Sequence, residues 1–375
     1  MHLFLIDLYV SVDMLSPIIH VLNKKQKVLI CGINPNQSFK EDKIINSVIN
    51  KNVKYDNFIP IGNFEKILLS IVDLIKLLPN FIQKKIKFFW EFLYKKKVFS
   101  NVSIIEKYLK KNNISSITYE ESSAEKYVEL FFIASKKMKI PMIKIDSGIA
   151  AIKTPLSKNR LENSNYFISP SYFMIKNKIL KNKKLRYIGS IRFTKYWLKI
   201  LDKIFKIEKI KDKKIINVGF FTKYQSKENP GTLKLIEKLK KENFVNIKTR
   251  EKPRDLYPLK FAYFYREDYN SSQLIRWSDI IVSSRSTSVL AEALIRNKKV
   301  VLLKYLYDES KFSNLYKYKY IKKINKEKDL IKNIFAIRNN KKFLRSKNKC
   351  LKDILVDHKN EKKIINDYIK LYSSL

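Results

Sequence analysis

The chain has 375 residues, with 78 Lys and Arg against 35 Asp and Glu, and its formal net charge of +43 excludes an acidic or charge-balanced protein. At 45% apolar and 13% aromatic residues it is not disordered by the low-hydrophobicity, high-charge criterion, and it is long enough for two domains. Cys31 and Cys350 lie outside any CxxC spacing, and His2, His20 and His358 are far apart, so neither a disulfide framework nor a clustered zinc site is readable and a reducing compartment follows.

The opening residues, MHLFLIDLYVSVD, carry Asp7 and Asp13 and lack the basic n-region of a secretory signal. They read as a buried strand over Leu3–Val10, followed by a helix over Asp13–Asn23 with Pro17 in its first turn and a second strand over Lys27–Ile33. Phe64–Lys97 is apolar, aromatic and basic at helical spacing, broken at Pro79. It is either a segment for an anionic membrane surface or a set of packed helices with solvated lysines. Its apolar run is too short to span a bilayer. Further on, Ser103–Lys111 reads as a helix, Ile114–Tyr119 as a strand, Ser123–Lys139 as a helix and Pro141–Ile145 as a strand. A crossing between domains is expected within Ala151–Lys213. A second alternating unit then follows: strands over Ile215–Phe221, Val245–Thr249, Asp279–Ser283 and Lys299–Lys304, with helices over Gly231–Glu242, Ser271–Trp277 and Ser288–Arg296. The last seventy residues are Lys-rich and read as helical. Strands spaced by helices predict parallel sheets with helices on their faces.

Lysine, isoleucine and asparagine are so abundant that an AT-rich coding bias accounts for much of the basicity. Arginine is more discriminating. There are 11, none before Arg160, and eight lie between Arg186 and Arg296, a segment where a planar fork suits phosphate or carboxylate.

The most informative stretch is Trp277–Lys304. A strand delivers the chain into a turn of small hydroxyl residues, Ser283, Ser284, Ser286, Thr287 and Ser288, where a helix begins. Hydroxyls, backbone N–H groups and Arg285 together suit a diphosphate without a metal, and Glu292, one turn into the helix, can accept from ribose hydroxyls. The plainer alternative is an ordinary Ser/Thr N-cap.

The run SDIIVSSRSTSVLAEALIRNKKVVLL resembles the donor-binding strand-turn-helix of GT-B glycosyltransferases, with Asn297-Lys298-Lys299 where those enzymes usually carry a Gly-x-Pro turn. Tyr187–Phe193 is similar to the Gly-Ser-Pro-Arg-Tyr crossing of bacterial surface-polysaccharide enzymes of capsule or lipopolysaccharide type, with Ile191 in place of proline. Ile247–Arg254 resembles their Lys-x-His-Pro-Arg segment without its histidine, and Ile140–Gly148 stands where they have a strand ending in His-Gly.

The resemblance implies an α/β, GT-B-like fold of two Rossmann-like domains with parallel sheets facing a central cleft. Residues 1–185 would form the acceptor domain, 186–355 the nucleotide-sugar donor domain, and 356–375 a C-terminal helix packing back on the first domain. It implies an inverting, metal-independent transferase with no cofactor beyond its nucleotide-sugar co-substrate, UDP- or CMP-type. The partners would be that donor, a glycan or glycolipid acceptor and an anionic membrane surface, at the cytoplasmic face. Donor contacts fall on Arg192, Arg250, Arg285, Ser286, Thr287, Ser288 and Glu292. For the general base, Asp13 comes first, at the position from which related transferases present a carboxylate, although an N-cap role suits it equally. Glu120 and Glu121 come second, since adjacent carboxylates raise one pKa, and Asp146 third.

Two readings of the same fold compete with this one. A sugar-nucleotide 2-epimerase needs several carboxylates and histidines around the sugar, and a glycerophosphotransferase would use the same donor turn. A basic nucleic-acid-binding protein is the alternative of another class, but the lysines are spread along the chain and no RRM, KH or helix-turn-helix signature occurs.

Overall fold

A computed structural model describes residues 1–34, 38–58, 102–121, 125–146, 163–171, 185–208, 212, 214–221, 230–250, 270–284, 287–306, 321–339 and 347–375. Phe64–Lys97, Arg285 and Ser286 lie outside them. The chain divides into two compact units, Met1–Ser147 with Lys158–Phe167 and Ile369–Leu375, and Gly148–Ser157 with Ile168–Tyr368.

The first sheet has seven strands, β1 (His2–Ile6), β2 (Val28–Gly32), β3 (Val53–Asn57), β4 (Ser116–Glu120), β5 (Met142–Ile145), β6 (Tyr166–Ser169) and β7 (Leu185–Tyr187). Their order is β3-β2-β1-β4-β5-β6-β7, and the pairs from β3 through β5 are parallel. Every residue of β1, β2, β4 and β5 is buried, as a parallel sheet covered on both faces requires. One face carries Leu3, Leu5, Ile117 and Tyr119 against Ile105 and Leu109 of the helical segment 102–111 and Phe131 of α3 (Glu125–Lys137). On the other face, Tyr372 stacks on Phe4 with ring centroids 5.7 Å apart, and its hydroxyl shares a 2.7 Å hydrogen bond with Thr118 Oγ1.

The second sheet holds β8 (Ile216–Phe221), β9 (Val245–Arg250), β10 (Ile280–Ser283), β11 (Lys299–Leu303) and β12 (Lys322–Ile324) in the order β12-β11-β10-β8-β9, all pairs parallel. Alternation along the strands makes two cores. Ile216, Val218 and Phe220 pack on Leu235 and Leu239 of α5 (Pro230–Lys241) and Leu330 and Ile334 of α8 (Glu327–Asn339). On the opposite face, Ile281, Val300 and Leu302 pack on Leu274 of α6 (Ser271–Trp277), Leu290 and Leu294 of α7 (Val289–Ile295) and Leu351 of α9 (Lys347–Ile354). The same unit holds α4 (Lys195–Ile204), preceded by a 3-10 turn over Ile191–Phe193, and the last helix is α10 (Glu361–Ser373).

The alternation read from the sequence is present, with corrections. The first strand stops at Ile6 because its ladder with β2 ends at Ile6–Gly32 and Asn34 Nδ2 donates to the Asp7 carbonyl at 2.7 Å. The chain therefore turns early into α1 (Tyr9–Leu22), and Pro17 lies in the helix interior, where it withholds the N–H that would donate to the Asp13 carbonyl. Four strands escape the sequence reading. β3 buries only Val53, β12 has three residues with only Ile324 buried, and β6 and β7 fall within the segment expected to be a crossing.

Candidate functional site

Open parallel sheets bind ligands beyond the carboxyl ends of their strands, where the strand order reverses direction. In the first sheet that point lies between β1 and β4. In the second it lies between β8 and β10.

In the first unit, Tyr119 pairs with Lys144, so continuing the register places Glu121 beside Asp146 just past β4 and β5, and Asp7 follows directly on the end of the neighbouring β1. Glu121 N–H donates to the Ile145 carbonyl at 2.8 Å, which extends the ladder to this pair. Asp7 and Asp146 are each 2% exposed, and Asp7 Oδ1 accepts from Ser11 Oγ at 3.1 Å. Glu120 is the last residue of β4, fully buried, and its parity sends it to the other face. Asp13 is not at the start of its helix. The helix begins at Tyr9 with Leu8 as N-cap, so Asp13 lies in the second turn of α1 and Asp7 occupies the strand end. A strand over Leu3–Val10 hides Asp7 in its middle, and the sequence signal for its true place is an acidic residue closing the apolar run Leu3–Ile6. Burial lowers the pKa of His2 to about 4, with the Met1 ammonium adding to the effect, and keeps the ring neutral. His2 and His20 belong to the amino edge of this sheet, since one opens β1 and the other lies in the last turn of α1.

In the second unit, Arg250, Phe221, Ser283 and Leu302 stand at one level across four strands. Paired residues point to the same face, so Arg250 and Ser283 share the side that carries α6 and α7. Lys248, two residues before Arg250, confirms this with Nζ 5.3 Å from the Trp277 ring centroid. Arg192 belongs to the 3-10 turn beside this core, 8% exposed, its guanidinium carbon 5.4 Å from the Phe193 ring centroid. Ser283 Oγ donates to the Phe221 carbonyl at 3.5 Å, and Ser284 is 6% exposed. The next described residues carry hydroxyls as well. Thr287 Oγ1 is buried with no hydrogen-bond partner, and Ser288, the N-cap of α7, has helical dihedrals and makes no side-chain capping bond. Thr249 Oγ1, 2% exposed and also without a partner, lies beside Arg250 but faces the opposite core.

Glu292, 4% exposed, is held through one oxygen. Its Oε1 accepts from Ser272 Oγ at 2.5 Å and from Arg296 Nε at 2.8 Å. Arg296 forks onto Asp202 from α4, Nη1 to Oδ2 at 3.0 Å and Nη2 to Oδ1 at 2.8 Å, and Nη2 also donates to Ser272 Oγ at 2.9 Å. Burial alone would lower the pKa of Arg296, but its bonds to Asp202 and the charge of Glu292 hold it above the ordinary value. Glu292 Oε2 makes no hydrogen bond among the described residues. Asp202 and Ser272 were not singled out in the sequence because Asp202 lies 94 residues from Arg296 and Ser272 lies 20 from Glu292.

Among the described residues, no group of three or more His, Cys, Asp or Glu is arranged to hold a metal ion, and no helix is long and apolar enough to cross a membrane. The second unit thus brings Arg192, Arg250, Thr287, Ser288 and Glu292 to one face of one sheet, and the first sets Glu121 beside Asp146, with Asp7 just past the end of the adjacent strand.

No known family model matches the sequence, and no curated protein matches it. Solved structures do match in shape. S. aureus MnaA in its UDP co-structure aligns with a TM-score of 0.59 at 10% identity, over 100% of this chain and 97% of that one. A UDP-N-acetylglucosamine 2-epimerase aligns at 0.61 and 11%, over 100% and 96%. CalG4, the calicheamicin glycosyltransferase, aligns at 0.56 and 8%, over 99% and 97%. The fold that the chain shares with these proteins over nearly its whole length is GT-B-like, built of two Rossmann-like α/β units.

Proposed function

We propose that the protein is a glycosyltransferase that moves a sugar from a nucleotide-activated donor, UDP- or CMP-type, to a growing cell-surface glycan, with inversion and without a metal. The observation that carries this reading is the turn after β10. It lies at the β8/β10 switch point and holds the unpartnered Thr287 Oγ1, a Ser288 hydroxyl that makes no capping bond and, one turn on, a buried Glu292 with one oxygen unclaimed among the described residues. Such a turn offers hydroxyl donors for phosphate oxygens and an acceptor for ribose. Arg192, Arg250 and Arg285 supply the positive charge that stabilises the departing diphosphate. The general base is drawn from the first sheet's carboxyl edge, Glu121 or Asp146, with Asp13 and Glu120 as the further candidates. The epimerase reading gains nothing from His2 and His20, which belong to the opposite edge of that sheet.

A thermal-shift panel of UDP, GDP, CDP, CMP and their sugar conjugates, with and without EDTA, tests the proposal. One nucleotide should raise the melting temperature by about 5 °C at a hundredfold excess over its Kd, unaffected by EDTA, and Arg285→Ala should abolish the shift. Replacing the base, by Glu121→Gln or Asp146→Asn, should keep that shift and remove turnover. Absence of any shift in the wild-type protein would refute the donor reading.

A further inference from the structure

We propose that Arg296 is a positioning residue for the donor site, holding Glu292 by one oxygen so that the other is presented to a diol of the ligand. The inference rests on the donor reading above and adds to it the part of the molecule that makes Glu292 competent.

The geometry is specific. Ser288, Glu292 and Arg296 follow one another at four-residue spacing, so they form a single stripe along α7. Helical side chains lean toward the helix N-terminus, which carries the Glu292 carboxylate toward the Thr287–Ser288 turn. A carboxylate 5% exposed, on a side chain with several rotatable bonds, has no preferred direction of its own. Here both of its protein donors converge on Oε1. Arg296 cannot swing away, because its two terminal nitrogens are forked onto the two oxygens of Asp202, and Ser272 Oγ bridges Arg296 to Glu292. Arg276 Nη1, 3.5 Å from Asp202 Oδ1 and 3.0 Å from the Asp202 carbonyl, steadies the outer end. The chain Asp202–Arg296–Glu292 therefore fixes the carboxylate plane, while Oε2 accepts no hydrogen bond from the described residues. Burying the Glu292 carboxylate with the Arg296 guanidinium is a poor route to stability, since replacing such groups with apolar ones is often neutral or better. Orientation of Oε2 is what the arrangement accomplishes.

The test reads ribose recognition. Calorimetric titration with UDP, GDP, CDP and CMP, each beside its 2′-deoxy and 3′-deoxy forms, should show the wild-type protein binding one ribonucleotide about tenfold or more tighter than a deoxy form, the loss expected when a charged acceptor goes unused. In Arg296→Met and Ser272→Ala that ratio should fall to about twofold or less, with the deoxy form bound as in the wild type. A purely structural network would weaken both forms in parallel and leave the ratio intact, and that result overturns the proposal. If Arg296→Met shows no cooperative melting, Ser272→Ala, which removes only a neutral donor from Oε1, decides the matter. Binding without hydroxyl discrimination in the wild type overturns the positioning role and leaves the donor reading standing. Failure of the wild type to bind any of the nucleotides removes both.

Discussion

Gly219 sits within β8 with no room for a side chain: a Cβ there would lie 2.2 Å from Ser278 Oγ and 3.2 Å from Ser278 Cβ. The serine cannot move aside without cost, since its hydroxyl donates to the Leu274 carbonyl at 2.6 Å. Gly219→Ala should therefore cost about 1–3 kcal/mol in chemical denaturation, and Ser278→Gly in the same chain should recover part of the loss. Gly189, in the turn that resembles the surface-polysaccharide crossing, is constrained in the same way by the Val356 carbonyl, 2.4 Å from the missing Cβ. Asn297 accounts for the difference from the Gly-x-Pro turn that Asn297-Lys298-Lys299 is compared with. It stands where a glycine is usual, adopts φ of 59°, and closes α7 with its own N–H on the Leu294 carbonyl and the Lys298 N–H on that of Ala293. Asparagine tolerates this conformation better than most residues, so the glycine is dispensable.

Among the elements, α4 shows how a distant part of the chain completes a helix. Thr194 Oγ1 accepts from Trp197 N–H at 3.2 Å and the Thr194 carbonyl from Leu198 N–H at 3.1 Å, but the first two amides need another acceptor. Glu361, at the start of α10, supplies it, Oε1 taking Lys195 N–H at 2.7 Å and Oε2 taking Tyr196 N–H at 3.2 Å. A carboxylate at this end also meets the positive pole of the helix. Glu361→Ala should lower unfolding free energy by about 1–2 kcal/mol, whereas Glu361→Gln should lose less, as measured by denaturant titration. This matters for the candidate site because α4 carries Asp202, the anchor of Arg296. The thermodynamic effect of the cap and the ribose discrimination of the site are thus separable measurements on connected elements.

Across the whole molecule, a net charge of +43 attracts any polyanion, and this attraction is screened as salt rises. Binding to RNA or DNA should be steeply salt-dependent and lost at about 0.15 M salt, while nucleotide binding at the donor turn should persist there, because its contacts include uncharged hydroxyls. Filter binding and calorimetry across a salt series would check both. Sequence-independent nucleic-acid binding that survives physiological salt, with no nucleotide bound, would contradict the transferase reading.

The sequence by itself determined the alternation of strand and helix, because fully buried parallel strands such as Ile216–Phe221 and Lys299–Leu303 are short, predominantly apolar runs with a local signature. It also exposed the hydroxyl turn and the arginine bias, which are matters of composition at neighbouring positions. Tertiary structure decided what depends on partners distant in the chain. β3, with VKYDN largely exposed, is a strand only because Val28–Gly32 offers it a ladder, and β1 ends where that same ladder ends. That boundary moved the strand-end carboxylate from Asp13 to Asp7. Register, which no local pattern encodes, set Glu121 beside Asp146 and turned Glu120 to the other face, with Asp7 just past the end of the adjacent strand. The network around Glu292 is of the same kind: four side chains from three helices and their caps, meeting only because α6 packs against both α4 and α7.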